Sequence, residues 1–428
     1  MRNATAAAKP SRTRNEFAQF SAMLRPLAVA VSPILLAAQP AIAADTPGAE
    51  QVARGQYLAR MGDCISCHSS SEGGEYGGGL RINTGFGHLI SPNITFDPAT
   101  GIGTWTKDDF WNALHNGVKK NGEYLYPAMP YSFFTRTTRA DSDAIYDFLS
   151  TVPQQIYPVD VNHLDFPFSI RATMLAWNEL YFTPGTYVPD PKRNETWNRG
   201  AYIVEGLGHC GACHDPRNFM GAVERSERLT GGRIGDWFAT NLTANKQTGL
   251  GTWSDDEVVT FLKKGQNARM VAEGPMAEVV HNSLKHLTDD DLMAAAVYLK
   301  SVAAETSTVS TAPPVSFARP EAATLFVNNC GQCHGPQGNG KPAATGGGPP
   351  LRGNALVVAP DPTNVVRATV GGLPGHFGRV PMSSQLNGVT AQQLADIINY
   401  VRTSWGNDAS PNVTPAMIFA MQASTAPQ

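Results

Sequence analysis

Three copies of one five-residue pattern constrain this 428-residue chain more than any other feature. All six cysteines fall in Cys64-Ile65-Ser66-Cys67-His68, Cys210-Gly211-Ala212-Cys213-His214 and Cys330-Gly331-Gln332-Cys333-His334. The spacing puts two thiols on one face of a helical turn, with a histidine directly after them. A disulfide framework gives no reason for that histidine. A zinc site needs four N, S or O ligands, and no second cysteine pair lies within any segment to complete one. Thioredoxin-like centres use one such pair within a βαβ pattern that is absent here. What the pattern fits is covalent attachment of haem, the thiols bonding its two vinyl groups and the imidazole meeting its iron. Three copies therefore predict three covalently bound haem c groups.

The first two copies lie within a longer internal repeat. Asn93-Ile94-Thr95 and Thr100-Gly101-Ile102-Gly103-Thr104-Trp105 recur as Asn241-Leu242-Thr243 and Thr248-Gly249-Leu250-Gly251-Thr252-Trp253, and Gly55-Gln56-Tyr57-Leu58 is echoed by Gly200-Ala201-Tyr202-Ile203. The register selects a second iron ligand. Met129, beside Pro130, lies 147 residues before Met276, beside Pro275, while the haem patterns are 146 apart. Met270 and Met293 fall out of register. In the third segment Met382, after Pro381, is the only methionine between His334 and Pro411. A methionine is ordinarily core filler, but three beside prolines at matching distances from a haem histidine are expected as thioether ligands. His88, His115, His281 and His376 are the alternatives. A thioether opposite the imidazole raises the potential, and the neighbouring proline stiffens the loop that presents it.

Composition sets the surroundings. The formal net charge of −3 offers no basic excess for nucleic acid. With 41 Gly and 31 Pro, a lean helical scaffold with long loops is expected. Capping-box spacings place helices after Thr106 with Asp109, Thr138 with Asp141, Ser254 with Glu257, Thr288 with Asp291 and Thr390 with Gln393. These charged residues are read as capping groups, with no further chemistry. The first 43 residues read as an export signal: basic residues from Arg2 to Arg25, an apolar run from Leu27 to Ala37, and Ala41-Ile42-Ala43 for cleavage. Haem modules are then expected at 44–158, 197–305 and 318–407. Residues 159–196 would form a connector that packs between modules or faces a partner, 306–317 a linker, and 408–428 a tail.

At this point the chain resembles a known family, the triheme cytochrome c subunits of membrane-bound bacterial dehydrogenases that oxidise alcohols, aldehydes and sugars. The likeness spans nearly the whole mature chain. It rests on Tyr126 to Tyr131, Trp197-Asn198-Arg199-Gly200, Gly206-Leu207-Gly208-His209-Cys210 and Gly274-Pro275-Met276-Ala277-Glu278. The resemblance implies an all-α fold of three tandem class I cytochrome c-type domains with long loops. Cys64, Cys67, Cys210, Cys213, Cys330 and Cys333 would hold haem, and His68/Met129, His214/Met276 and His334/Met382 would ligate iron. It further implies an exported subunit at the periplasmic face of the cytoplasmic membrane. Such a subunit passes electrons from a catalytic dehydrogenase subunit to ubiquinone, in some complexes alongside a small third subunit. The catalytic partner carries a flavin, pyrroloquinoline quinone or molybdopterin. Phe166-Pro167-Phe168-Ser169-Ile170-Arg171 and Pro216-Arg217-Asn218-Phe219 are most similar to the flavin-linked sugar branch. Some relatives there carry a C-terminal membrane helix. The apolar run Ala416 to Met421 is too short for one, so membrane contact is expected to be peripheral or through a partner. A multihaem peroxidase and a free periplasmic shuttle are the competing functions.

Overall fold

The glycine of the repeated Gly-x-Tyr motif lets two helices cross at backbone contact. A computed structural model of the protein describes residues 47–304, 319–384 and 388–425; the expected leader and the linker 306–317 lie outside them. Helix α1 (Ala49–Met61) leads into the first Cys-x-x-Cys-His turn, α2 (Cys64–Cys67). Strands β1 (Arg81–Thr84) and β2 (Gly87–Ile90) follow, then α3 (Lys107–Asn116), α4 (Tyr131–Phe134) and α5 (Arg139–Leu149). A Cβ on Gly55 would sit 1.8 Å from the Ala144 carbonyl oxygen, so only glycine allows α1 to meet α5 this closely. Leu58, Met61, Ile145 and Leu149 fill the crossing.

The second segment repeats the plan. It runs through α7 (Glu195–Tyr202), the second Cys-x-x-Cys-His turn α8 (Gly211–His214), strands β4 (Gly232–Ile234) and β5 (Trp237–Ala239), α9 (Asp255–Lys264), α10 (Pro275–Asn282) and α11 (Asp289–Ser301). A Cβ on Gly200 would lie 1.9 Å from the Ala294 oxygen, the same crossing again. One residue differs: the chain runs from 55 to 64 in the first copy and from 200 to 210 in the second. The extra residue falls where a π-helical turn, Ile203–Leu207, joins α7 to the loop before Cys210. A π turn is how a helix absorbs a single insertion without displacing the chain beyond it.

The third segment contains α12 (Pro320–Asn329), the third Cys-x-x-Cys-His turn α13 (Gly331–His334), α14 (Ala355–Val358), α15 (Thr363–Gly371) and α16 (Ala391–Thr403). Phe326 on α12 packs against Ile397 and Val401 on α16, a burial that contributes about 1.5–3 kcal/mol. Within the expected tail lies α17 (Pro415–Thr425), whose fully buried Ile418 joins Leu394 and Ile398.

All five expected caps form. Thr106, Ser254 and Thr390 make complete capping boxes. Thr138 and Thr288 accept from the backbone N–H of Asp141 and Asp291, but those carboxylates do not return the bond. They turn outward to another module. Tyr202 donates to Asp141 Oδ2 at 2.5 Å and accepts from the Thr138 N–H at 3.1 Å. Tyr57 donates to Asp291 Oδ2 at 2.6 Å and accepts from the Thr288 N–H at 3.1 Å. Each tyrosine comes from the motif in the opposite copy, so the first two segments trade identical contacts, as the halves of an isologous dimer do. Arg54 and Arg199 complete the two carboxylates from within their own copies.

The fold is mostly helical, with an addition the all-α expectation did not include. β1, β2 and β3 (Asn162–Leu164) form an antiparallel sheet, and β4 pairs with β5. Through β3, the expected connector pairs with β2 and extends the sheet of β1 and β2. Its helix α6 (Thr173–Tyr181) then packs Met174 and Trp177 against Tyr126 and Tyr131, on either side of Met129. Tyr131 donates to Asn178 Oδ1 at 2.6 Å, and Arg171 donates to the Tyr124 carbonyl at 2.8 Å. Phe166, Ile170, Leu175 and Leu180 of the same stretch stay exposed. Among the described residues no helix is long and apolar enough to cross a membrane.

Candidate haem sites

Each Cys-x-x-Cys-His pattern forms a short helical turn, and each histidine is held the same way. Nδ1 of His68, His214 and His334 bonds a backbone carbonyl: Pro92 at 2.8 Å, Thr240 at 2.6 Å and Pro349 at 2.8 Å. That contact makes Nδ1 the protonated nitrogen and leaves the lone pair on Nε2, the nitrogen a metal takes. Burial lowers the pKa of all three rings, against the opposing pull of the carbonyl bond. Neutral imidazole, the ligating form, is therefore favoured.

The repeated Asn-x-Thr explains how two of those carbonyls are fixed, since Pro92 and Thr240 immediately precede Asn93 and Asn241. Asn93 Oδ1 accepts from the N–H and the hydroxyl of Thr95, both at 2.8 Å, and its amide donates to Thr100 at 3.0 Å. Asn241 makes the same bonds to Thr243 and Thr248. The glycines of the following Thr-Gly-x-Gly-Thr-Trp are steric necessities: a Cβ on Gly101 or Gly249 would come within 2.4 Å of a threonine carbonyl oxygen.

The six cysteines are all unpaired. Burial pushes the Cys64 and Cys210 thiols up to about 12, and those of Cys67 and Cys330 up to about 11. Cys67 is accessible from one side yet hemmed in by protein on the others. At neutral pH these groups are thiols, unlike the low-pKa thiolates of redox centres. No group of three or more His, Cys, Asp or Glu among the described residues converges as a zinc site requires.

Met129 packs on the core cluster that carries Cys64, and Met276 on the one that carries Cys210. The third site is the most explicit. Cys330, Cys333, His334 and Met382 line one cleft, which encloses about 1340 Å³ of empty space, its open mouth included. Phe326, Val365, Ile397 and Ile398 make its walls apolar. Met382 is set there by a two-way backbone bridge to Leu373, at 2.8 and 3.0 Å. Gly348 packs against the imidazole, where its Cβ would lie 2.6 Å from His334 Cε1. Two thiols, a tautomer-fixed imidazole and a thioether around an apolar slot fit haem c.

Of the alternative histidines, only His376 lines this cleft. His88 stacks on His163 in the sheet, His115 lies on Trp111, and Nδ1 of exposed His281 contacts Lys285. Sequence reasoning passed over Arg402, which is fully buried on α16. It donates to the carbonyls of Val357 and Ala359 at 2.7 and 3.0 Å, tying α14 beside the cleft to α16. Burial lowers its pKa to about 10.

Fold and donor sets together define a c-type cytochrome. The cytochrome c family pattern matches residues 52–153 and 321–405. The chain is 37% identical to the cytochrome c subunit of a quinone alcohol dehydrogenase from Gluconacetobacter polyoxogenes, over 90% of this chain and 87% of that one. It is 36% identical to the fructose dehydrogenase cytochrome subunit of Gluconobacter japonicus, over 83% and 79%. It is also 36% identical to the gluconate 2-dehydrogenase cytochrome c subunit of Pantoea cypripedii, over 89% and 92%. The chain belongs to this family of dehydrogenase cytochrome c subunits.

Proposed function

We propose that the chain is a three-haem electron-transfer subunit of three tandem cytochrome c domains, carrying electrons from a separate catalytic dehydrogenase subunit to ubiquinone. When bound, each haem supplies a one-electron ferric–ferrous couple. The residues attach it through Cys64/Cys67, Cys210/Cys213 and Cys330/Cys333 and ligate it through His68/Met129, His214/Met276 and His334/Met382. The observation that carries this reading is the threefold recurrence of a haem turn whose histidine gives Nδ1 to a backbone carbonyl. The shared cleft of His334 and Met382 adds the distal ligand. Two protein ligands per iron leave no open position, so the chain itself transforms no substrate.

The relatives' names support a dehydrogenase partner acting on an alcohol, a sugar or a sugar acid. Within that range the flavin-linked sugar or polyol type is favoured, with a small third subunit completing the complex at the periplasmic face of the membrane. Three measurements test the reading. A pyridine haemochrome assay should return three haems per chain. A dehydrogenase subunit should copurify in stoichiometric yield. The reduced protein should not bind carbon monoxide rapidly; rapid binding would replace this proposal with a peroxidase-type enzyme.

A further inference from the structure

The cleft of His334 and Met382 is not walled by its own module alone. Val271 and Glu273 reach it from the segment before α10. Glu273 is the one carboxylate among the lining residues. Its Oε2 is buried and meets no hydrogen-bond partner among the described residues, a position a charged carboxylate occupies only at a cost.

The repeat shows that the fold does not need a carboxylate there. The same register in the first copy, 147 residues earlier, holds Tyr126. That hydroxyl lies 3.1 and 3.2 Å from the carbonyls of Phe168 and Ser169, both within the connector. Glu273 has no corresponding task and lies beside a different module's haem slot. The titratable groups lining the cleft with it are Arg379 and His376 on the loop before Met382, His334 on α13 and the two cysteine thiols; bound haem would add its propionates. Arg379 is committed elsewhere, to Gln266 Oε1 and the Gly347 carbonyl, each at 3.2 Å. Burial pushes the Glu273 carboxyl up to about 7, with the Arg379 charge pulling the other way.

We propose that Glu273 is a redox-linked proton site for the third haem: it takes a proton from solvent as the iron in the adjoining cleft gains an electron, and returns it when the electron leaves. This rests on the haem reading of the cleft. One electron arrives from a one-electron donor, one proton arrives from water, and both leave on oxidation. An added electron favours the neutral form of a nearby carboxyl, and by linkage the protonated carboxyl favours the electron.

The test is a spectroelectrochemical titration of the full-length holoprotein on both sides of neutral pH, with haem counted in every sample. The third haem is the one whose sulfur-to-iron absorption disappears in Met382→Ala. Its electron affinity should fall with rising pH, by up to tenfold per unit, which is 59 mV for one electron. Glu273→Gln should flatten that dependence and Glu273→Asp should keep it. An undiminished slope in Glu273→Gln with three haems bound overturns the proton site and leaves the haem reading standing. Fewer than three haems in the wild-type protein overturns the haem reading and this proposal with it. Should Glu273→Gln not fold, Arg379→Gln must move the window to higher pH, and an unmoved window overturns the proposal.

Discussion

A methyl group at Gly348 tests how the third histidine is held. Built on the existing backbone, its Cβ would lie 2.6 Å from His334 Cε1, 2.7 Å from Nδ1 and 3.0 Å from Nε2. Gly348 does not have a positive φ, so Gly348→Ala probes space rather than backbone strain. Nonbonded atoms settle at about 3.5–4.0 Å, so the ring must retreat by roughly 1 Å. Its bond to the Pro349 carbonyl, now 2.8 Å, would be stretched beyond hydrogen-bonding reach. Losing that bond costs about 0.5–1.5 kcal/mol, and overpacking adds about 1–3 kcal/mol. We expect a total of about 1.5–4.5 kcal/mol. Denaturant unfolding of the holoprotein, followed at the haem absorbance, measures it, with Gly85→Ala as the control because nothing lies within 4 Å of that Cβ. One haem should also lose its histidine–methionine spectrum. A stability within about 0.5 kcal/mol of wild type, with every haem spectrum intact, would refute the reasoning.

On the proposed ligation, Met382→Ala should abolish the sulfur-to-iron absorption of one haem and lower its potential, leaving any other haem unchanged in the same redox titration. Gly55→Ala and Gly200→Ala force a Cβ to within 1.8 and 1.9 Å of a helix carbonyl, and each should cost about 3 kcal/mol in urea unfolding. Tyr57→Phe removes a bond to a carboxylate and should cost at most about 1.5–3 kcal/mol. Asp291 adds a pH signature. Burial alone would raise its pKa, but the Arg199 and Tyr57 hydrogen bonds hold it below the usual carboxylate value. The stability it contributes is complete above the unfolded-state pKa and is lost as pH falls through the depressed folded value. Unfolding titrations into acid should therefore show a smaller loss in Tyr57→Phe than in wild type.

What the sequence revealed was local. Helix starts were legible because a threonine or serine three residues before an acid or amide is a complete physical instruction. The Cys-x-x-Cys-His turns were legible because two thiols three residues apart and the histidine beside them fit a single helical turn. The exchange of Tyr57 with Asp291 joins residues 234 apart; the spacing of Thr288 and Asp291 announced a cap and hid the carboxylate's second use. β3 is three residues long, too short for an alternating pattern, and only its partner Gly87–Leu89 reveals it. α17 is mostly apolar without a clear polar face, so its periodicity could not say which side would be buried. Nothing in the sequence singled out the side chains of Arg402 and Glu273, because burial is a property of the finished packing.

The reciprocal tyrosines have a consequence for how this chain tolerates damage. Two separate proteins exchanging such contacts would part on dilution. A tether holds the local concentration of the opposite half high whatever the concentration outside. Each half has lent the other a hydroxyl that finishes a helix start, so neither is complete when isolated. Loss of one hydroxyl still leaves the mirror contact closing the seam, a redundancy gained by copying a module and keeping both copies face to face.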